Sequence, residues 1–167
     1  MDGTACKRRL VIGVLAALLI GPVAVQAQDV TIALGGEPTT LDPQRATDRL
    51  TSILTSNIFD SLTFRDAHLK IQPGLAKSFR RLDDRTWQFD LREGVKFHNG
   101  EPFDAQAVKF SIERILDPAT KSPMISYVNA IERVEIVSPM SVKLITKAPD
   151  PLLLYRVAEL HGQMLPP

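Results

Sequence analysis

Cysteine is almost missing from this 167-residue sequence, and its single example, Cys6, lies ahead of a short basic and apolar leader. The remainder therefore offers no disulfide, no thiol nucleophile and no cysteine metal site, and its stability must come from packing. An apolar run long enough to span a bilayer is also lacking. Leu10 to Val25 is 16 residues, short of the roughly 20 a spanning helix needs, and no positive cluster follows it. Charge of one sign is not in excess either, with 20 Lys and Arg against 19 Asp and Glu. A clustered basic face of the kind that attracts nucleic acid is therefore not indicated. No internal repeat or low-complexity stretch is present.

What the first residues do contain is the order of an export signal. Lys7, Arg8 and Arg9 form a positive head, Leu10 to Ile20 is apolar without a charge, and Gly21-Pro22 breaks it. Val25-Gln26-Ala27 puts small residues where a signal peptidase needs them, so cleavage is expected between Ala27 and Gln28. The residues flanking the adjacent arginines support a twin-arginine route poorly. A lipoprotein would need its cysteine after the apolar stretch, whereas Cys6 precedes it. Cleavage removes three basic residues and one acidic residue, leaving 140 residues with a net charge near minus one. That length suffices for one domain burying about 68% of its unfolded surface.

Further along, Val30–Leu34 is a run of β-formers ending at Gly35-Gly36 and reads as a strand entering a loop. Asp48 is placed to cap a helix carrying Leu50, Ile53, Leu54 and Ile58. Leu62 and Phe64 alternate with polar residues, Gln72-Pro73-Gly74 reads as a turn, and Ala76–Leu82 is extended up to the Asp83-Asp84 turn. Trp87, Phe89 and Leu91 alternate with Gln88 and Asp90 as in a strand with one buried face. Asp104 caps a second helix with Ala105, Val108, Ile112 and Ile115 on one stripe, stopped by Asp117-Pro118. Pro123 opens a short helical stretch. The runs 134–137 and 142–145 form a hairpin around residues 138–141, and Pro151 starts a last helix through Leu160. Helices inserted among hairpin-linked strands make the fold class α+β.

Several ordered motifs then carry a family resemblance. Glu-Pro-Thr-Thr-Leu-Asp-Pro at 37–43, Asn-Ile-Phe-Asp-Ser-Leu at 57–62 and Pro-Gly-Leu-Ala-Lys-Ser-Phe at 73–79 resemble the N-terminal part of family 5 extracytoplasmic solute-binding proteins. These are the receptors of peptide, nickel and related importers. Thr86 to Phe103, with Gly-Val-Lys-Phe-His-Asn-Gly at 94–100, is similar to the family's most recognisable segment. The resemblance covers everything after Ala27. It implies a partial periplasmic-binding-protein-like fold, because family members run several hundred residues further and close two lobes around a ligand. On that basis the chain reads as an N-terminal fragment without the second lobe. Residues 1–27 would be the signal, 28–48 the first strand and loop of lobe I, 49–155 a small α+β domain, and 156–167 the start of the return to lobe I.

The function implied is that of a monomeric substrate-binding component of an ATP-driven importer, capturing a peptide or similar small solute in the periplasm for a membrane permease. No cofactor and no nucleic-acid partner are implied. A ligand-sensing receptor domain of the same fold and a secreted hydrolase are the alternatives. The second would need a convergent nucleophile, base or metal. His68, His98 and His161 lack ligand spacing, and Ser111, His98 and Asp104 have the letters of a triad without a nucleophile elbow. By resemblance, Ala46, Thr47, Asp48 and Arg49 align with positions bordering the ligand cleft, although Thr47 or Asp48 also suits helix capping. Met124 stands where oligopeptide-binding relatives tend to have tyrosine. An apolar surface replaces a hydroxyl there.

Overall fold

Alternation of apolar and polar residues builds a sheet with one dry face, and a capped amphipathic helix covers it. The computed structural model describes residues 31–158 and 160–167, of which Leu34–Pro167 belong to one unit. The expected cleavage position, Ala27 and Gln28, lies outside the described residues.

The elements in chain order are α1 (Arg49–Thr55), β1 (Thr63–Arg65), β2 (Ile71–Pro73), β3 (Ala76–Arg81), β4 (Thr86–Leu91), α2 (Ala105–Leu116), α3 (Ile125–Val128), β5 (Ile131–Ser138), β6 (Ser141–Thr146) and α4 (Leu153–Arg156). Single 3-10 turns follow α2 and α4, at Pro118–Thr120 and Leu160–Gly162. The α+β class expected from the sequence is what forms.

The main sheet has the order β3-β4-β6-β5, antiparallel throughout, and β1 and β2 form a separate antiparallel pair. Across the main sheet, Phe79, Phe89, Val142 and Ile136 form one cross-strand row, and Arg81, Trp87, Leu144 and Val134 form the next. Phe89, Leu91, Val142 and Leu144 have no exposed surface. The alternating set, Arg80, Gln88, Lys143 and Glu135, makes a polar row on the other face, as the two-residue period of a strand requires. Trp87 was expected in the core. It is half-buried, lying at the core's edge with its ring centroid 6.4 Å from that of Phe79.

Helix α2 supplies the cover. The Asp104 side chain accepts from the amides of Gln106 (2.8 Å) and Ala107 (3.1 Å), satisfying two of the four N–H groups a helix start leaves open. Ala105, Val108, Ile112 and Ile115 are buried as the spacing predicts, and the helix packs on β5 and β6. It ends where Asp117 turns extended ahead of Pro118.

Four expectations from the sequence are corrected. Residues 31–34 form no strand and are exposed, because none of the described residues pairs with them. Helix α1 is capped by Asp48, but its buried positions are Thr51 and Thr55, while Ile53 and Ile58 are exposed. Leu50 and Leu54 are half-buried, so the described residues cover the apolar side only in part. Gln72 and Pro73 lie in β2 rather than in a turn. The chain reverses at 66–70 instead, where the Asp66 carboxylate accepts from the amides of His68 and Lys70 and from Gln72 Nε2. The last helix stops at Arg156 instead of Leu160, because the chain folds back until the Gly162 backbone abuts the Val157 carbonyl. A continuous helix would hold those two groups apart.

Candidate functional site

The loop that precedes α1 is held by its own polar side chains. Thr40 Oγ1 accepts from the Asp42 amide at 3.0 Å, and Asp42 Oδ1 accepts from the Gln44 amide at 3.0 Å. Six residues on, Asp48 Oδ1 accepts from the Thr51 amide at 2.8 Å and Oδ2 from the Thr39 hydroxyl at 2.6 Å. The Thr39 hydroxyl, followed by the bonds from Thr51, holds the Asp48 carboxyl down to about 2. Asp48 is therefore an anion at every physiological pH, and its two oxygens serve the helix cap and the loop.

The motif is anchored to α2 across a long sequence distance. Arg114 donates from Nη2 to Asp42 Oδ2 at 2.6 Å, and from Nη1 to Asp42 Oδ1 at 3.2 Å and Gln44 Oε1 at 2.7 Å. Gln44, fully buried, donates from Nε2 to the Ser111 carbonyl at 2.8 Å. Its own carbonyl accepts from the Ser122 hydroxyl at 2.6 Å, and Ser122 Oγ accepts from the Met124 amide at 3.2 Å. A forked guanidinium on a carboxylate fixes orientation as well as proximity.

The five residues singled out as ligand candidates fall in different settings. Ala46 is 2% exposed and Met124 7% exposed, both turned into packed surroundings. Asp48 is taken up by the cap. Thr47 and Arg49 are exposed. The Ser122 hydroxyl joins Gln44, two positions before Ala46, to Met124 through two hydrogen bonds. Sequence reasoning missed Gln44, Arg114 and Ser122. Arg114 in the last turn of an amphipathic helix and Gln44 next to Asp42-Pro43 gave no local sign of meeting.

The residues with triad letters do not converge. Ser111 Oγ donates to the Ala107 carbonyl at 2.7 Å and accepts from the Leu165 amide at 2.8 Å, Asp104 caps α2, and His98 is exposed in the loop before Gly100. Among the described residues no group of three or more His, Cys, Asp or Glu could hold a metal ion. A cavity of about 340 Å³ lies elsewhere, walled by Ile58, Phe59, Leu75, Val95, Phe97 and Phe103. Its walls are mainly apolar, and Asp60, Lys96, His98 and Asn99 also line it.

Comparison with known proteins agrees with this architecture. Residues 70–166 match the model of the bacterial extracellular solute-binding proteins, family 5, and the chain belongs to that family. It is similar to the glutathione-binding protein GsiB of Escherichia coli K12, 33% identical over 154 residues that cover 92% of this chain and 30% of the relative. Among solved structures it resembles the Escherichia coli murein tripeptide binding protein MppA, with a TM-score of 0.73 and 25% identity over 78% of this chain and 29% of that one. It also resembles Haemophilus influenzae OppA in complex with RPPGFSPFR, with a TM-score of 0.73 and 27% identity over 79% and 29%. The chain thus spans about 30% of the length of the curated relatives it matches.

Proposed function

We propose that this chain belongs to the substrate-binding component of an ABC-type importer, which captures a peptide or similar small solute outside the cytoplasmic membrane and hands it to a permease. The observation that carries the reading is the family match over residues 70–166, together with solved neighbours named for a tripeptide, for an oligopeptide and, in NikZ of Campylobacter jejuni, for Ni(L-His). Export with cleavage between Ala27 and Gln28, and a periplasmic location, belong to the same reading. So does the division into residues 28–48 and 156–167 of lobe I and 49–155 of a small domain.

Within this proposal the solute meets Thr47 and Arg49 at the surface. Asp48 contributes a fixed negative charge beside them, and Ala46 and Met124 shape the base on which they sit. A cationic and an anionic group side by side suit the two charged ends of a peptide. The test is a chimera in which residues 28–167 replace the matching part of the glutathione-binding relative. Calorimetric titration with glutathione and with a tripeptide should give saturable binding of at least one. A folded chimera that binds neither, beside an unaltered relative that does, would reject the proposal.

A further inference from the structure

Gln44 is fully buried, and each of its four hydrogen-bonding groups has a partner. The amide donates to Asp42 Oδ1, the carbonyl accepts from Ser122 Oγ, Oε1 accepts from Arg114 Nη1 and Nε2 donates to the Ser111 carbonyl. One side chain and its backbone thereby tie together the loop after Pro43, helix α2 and the segment 122–124. Through Ser111, whose hydroxyl accepts from the Leu165 amide, the same connection reaches the end of the described chain. A buried polar network of this kind sets one geometry where apolar packing would accept several.

We propose that Gln44 is a positioning residue of the solute site, holding the 46–49 loop and the Met124 segment at one fixed separation. This rests on the reading that those two segments border a captured solute. Ala46, two positions on and 2% exposed, seats the loop against the same interior, so Thr47 and Arg49 project from a base that cannot drift. Ser122 is the link that can be cut without touching Gln44, because its hydroxyl is shared between the Gln44 carbonyl and the Met124 amide.

The experiment is residue-resolved amide exchange on the 167-residue chain and its Ser122→Ala and Ser122→Thr variants. Alanine should speed exchange by about fivefold, the factor of one lost hydrogen bond, at Met124 and at residues 45–49 together. Amides of β4 and β6 should stay unchanged, and threonine, which keeps the hydroxyl, should restore both segments. Should the alanine variant lose its fold, Gln44→Glu is read in the same way, since it keeps the acceptor facing Arg114 and removes the donor facing Ser111. Faster exchange in only one of the two segments, a uniform rise through the sheet, or no rescue by threonine would overturn the proposal. In the chimera that binds, Ser122→Ala should also weaken solute affinity about fivefold and Ser122→Thr restore it, and an unchanged affinity beside faster exchange would make the link structural only and overturn the proposal. A chimera that binds neither glutathione nor the tripeptide counts against the proposed function, and the exchange result is a separate outcome.

Discussion

Arg114 and Asp42 stand 72 positions apart and meet through two hydrogen bonds, of 2.6 and 3.2 Å, with both side chains about three-quarters buried. This contact fastens the loop before α1 onto the last turn of α2. A partly buried forked pair lies between the exposed case, worth under about 1 kcal/mol, and the fully buried one, where loss of a partner costs about 3 to 5. Arg114→Ala should therefore lower stability by about 2 kcal/mol, read as a shift in urea midpoint at constant slope. Lysine should recover only part of it, since it cannot form the fork. Full recovery by lysine would show that charge alone matters.

Phe89 has no exposed surface and sits between Phe79 on β3 and Val142 on β6. Phe89→Ala should cost about 3 to 5 kcal/mol. Trp87→Ala should cost less, since the indole is half-buried at the edge of the same face. Denaturant titration of both variants gives the ranking, and equal losses would contradict the difference in burial.

How much was legible follows from how far each signal reaches. Trp87, Phe89 and Leu91 announce β4 because strand periodicity is local. Asp104 announces α2 because a cap acts within three residues. The hairpin around Pro139-Met140 is likewise written in adjacent residues. The Asp42–Arg114–Gln44 network was not legible, since nothing near Arg114 says that it will face a loop 70 residues earlier. Helix α1 misled for a related reason: Ile53 and Ile58 look like a core stripe, yet the described residues bury Thr51 and Thr55 instead. Amphipathic spacing states which residues share a face and leaves open what meets it.

Gly74, in the Pro-Gly-Leu-Ala stretch shared with the family pattern, is required by a close approach. A Cβ there would lie 2.5 Å from the Ser61 carbonyl oxygen and 3.1 Å from that of Leu62. The glycine amide itself donates to the Leu62 carbonyl at 3.0 Å, so the two backbones cannot separate without losing that bond. Gly74→Ala should destabilise by about 1 to 3 kcal/mol through this overpacking. A thermal melt unchanged from that of the unaltered chain would show that the segment relaxes freely.

His161 gives the fold an acid-sensitive contact. Its ring stacks on Tyr127 with centroids 3.6 Å apart and planes 11° from parallel. Burial, with the nearby Arg156 guanidinium adding to it, holds the imidazole down to about 4 against an ordinary 6.5. The unfolded chain takes up the proton first as the pH falls. Stability should therefore decline progressively between about pH 6.5 and pH 4, level off below that range, and be unaffected above it. The loss should reach about 2 kcal/mol once partial exposure is allowed for. His161→Phe keeps an aromatic ring on Tyr127 and removes the titrating group, so its stability should lack this component of the slope. An identical pH profile in chain and variant would place the acid sensitivity elsewhere.

The 167 residues by themselves should capture no solute tightly. Of the five ligand candidates, Thr47 and Arg49 are exposed, while Ala46 and Met124 face inward and Asp48 is bound up in its cap. Two exposed side chains at the start of α1 touch one side of a ligand, whereas a binding pocket encloses about 70 to 90% of a small ligand's surface. The mainly apolar cavity beside Phe97 and Phe103 does not compensate, because none of the five candidates lines it. Calorimetric titration of the isolated chain with glutathione, a tripeptide and a nickel–histidine complex should give no saturation below about 1 mM, equivalent to roughly 4 kcal/mol of binding. Saturable micromolar binding, lost in Arg49→Ala, would mean that the loop and its surroundings already form a complete site.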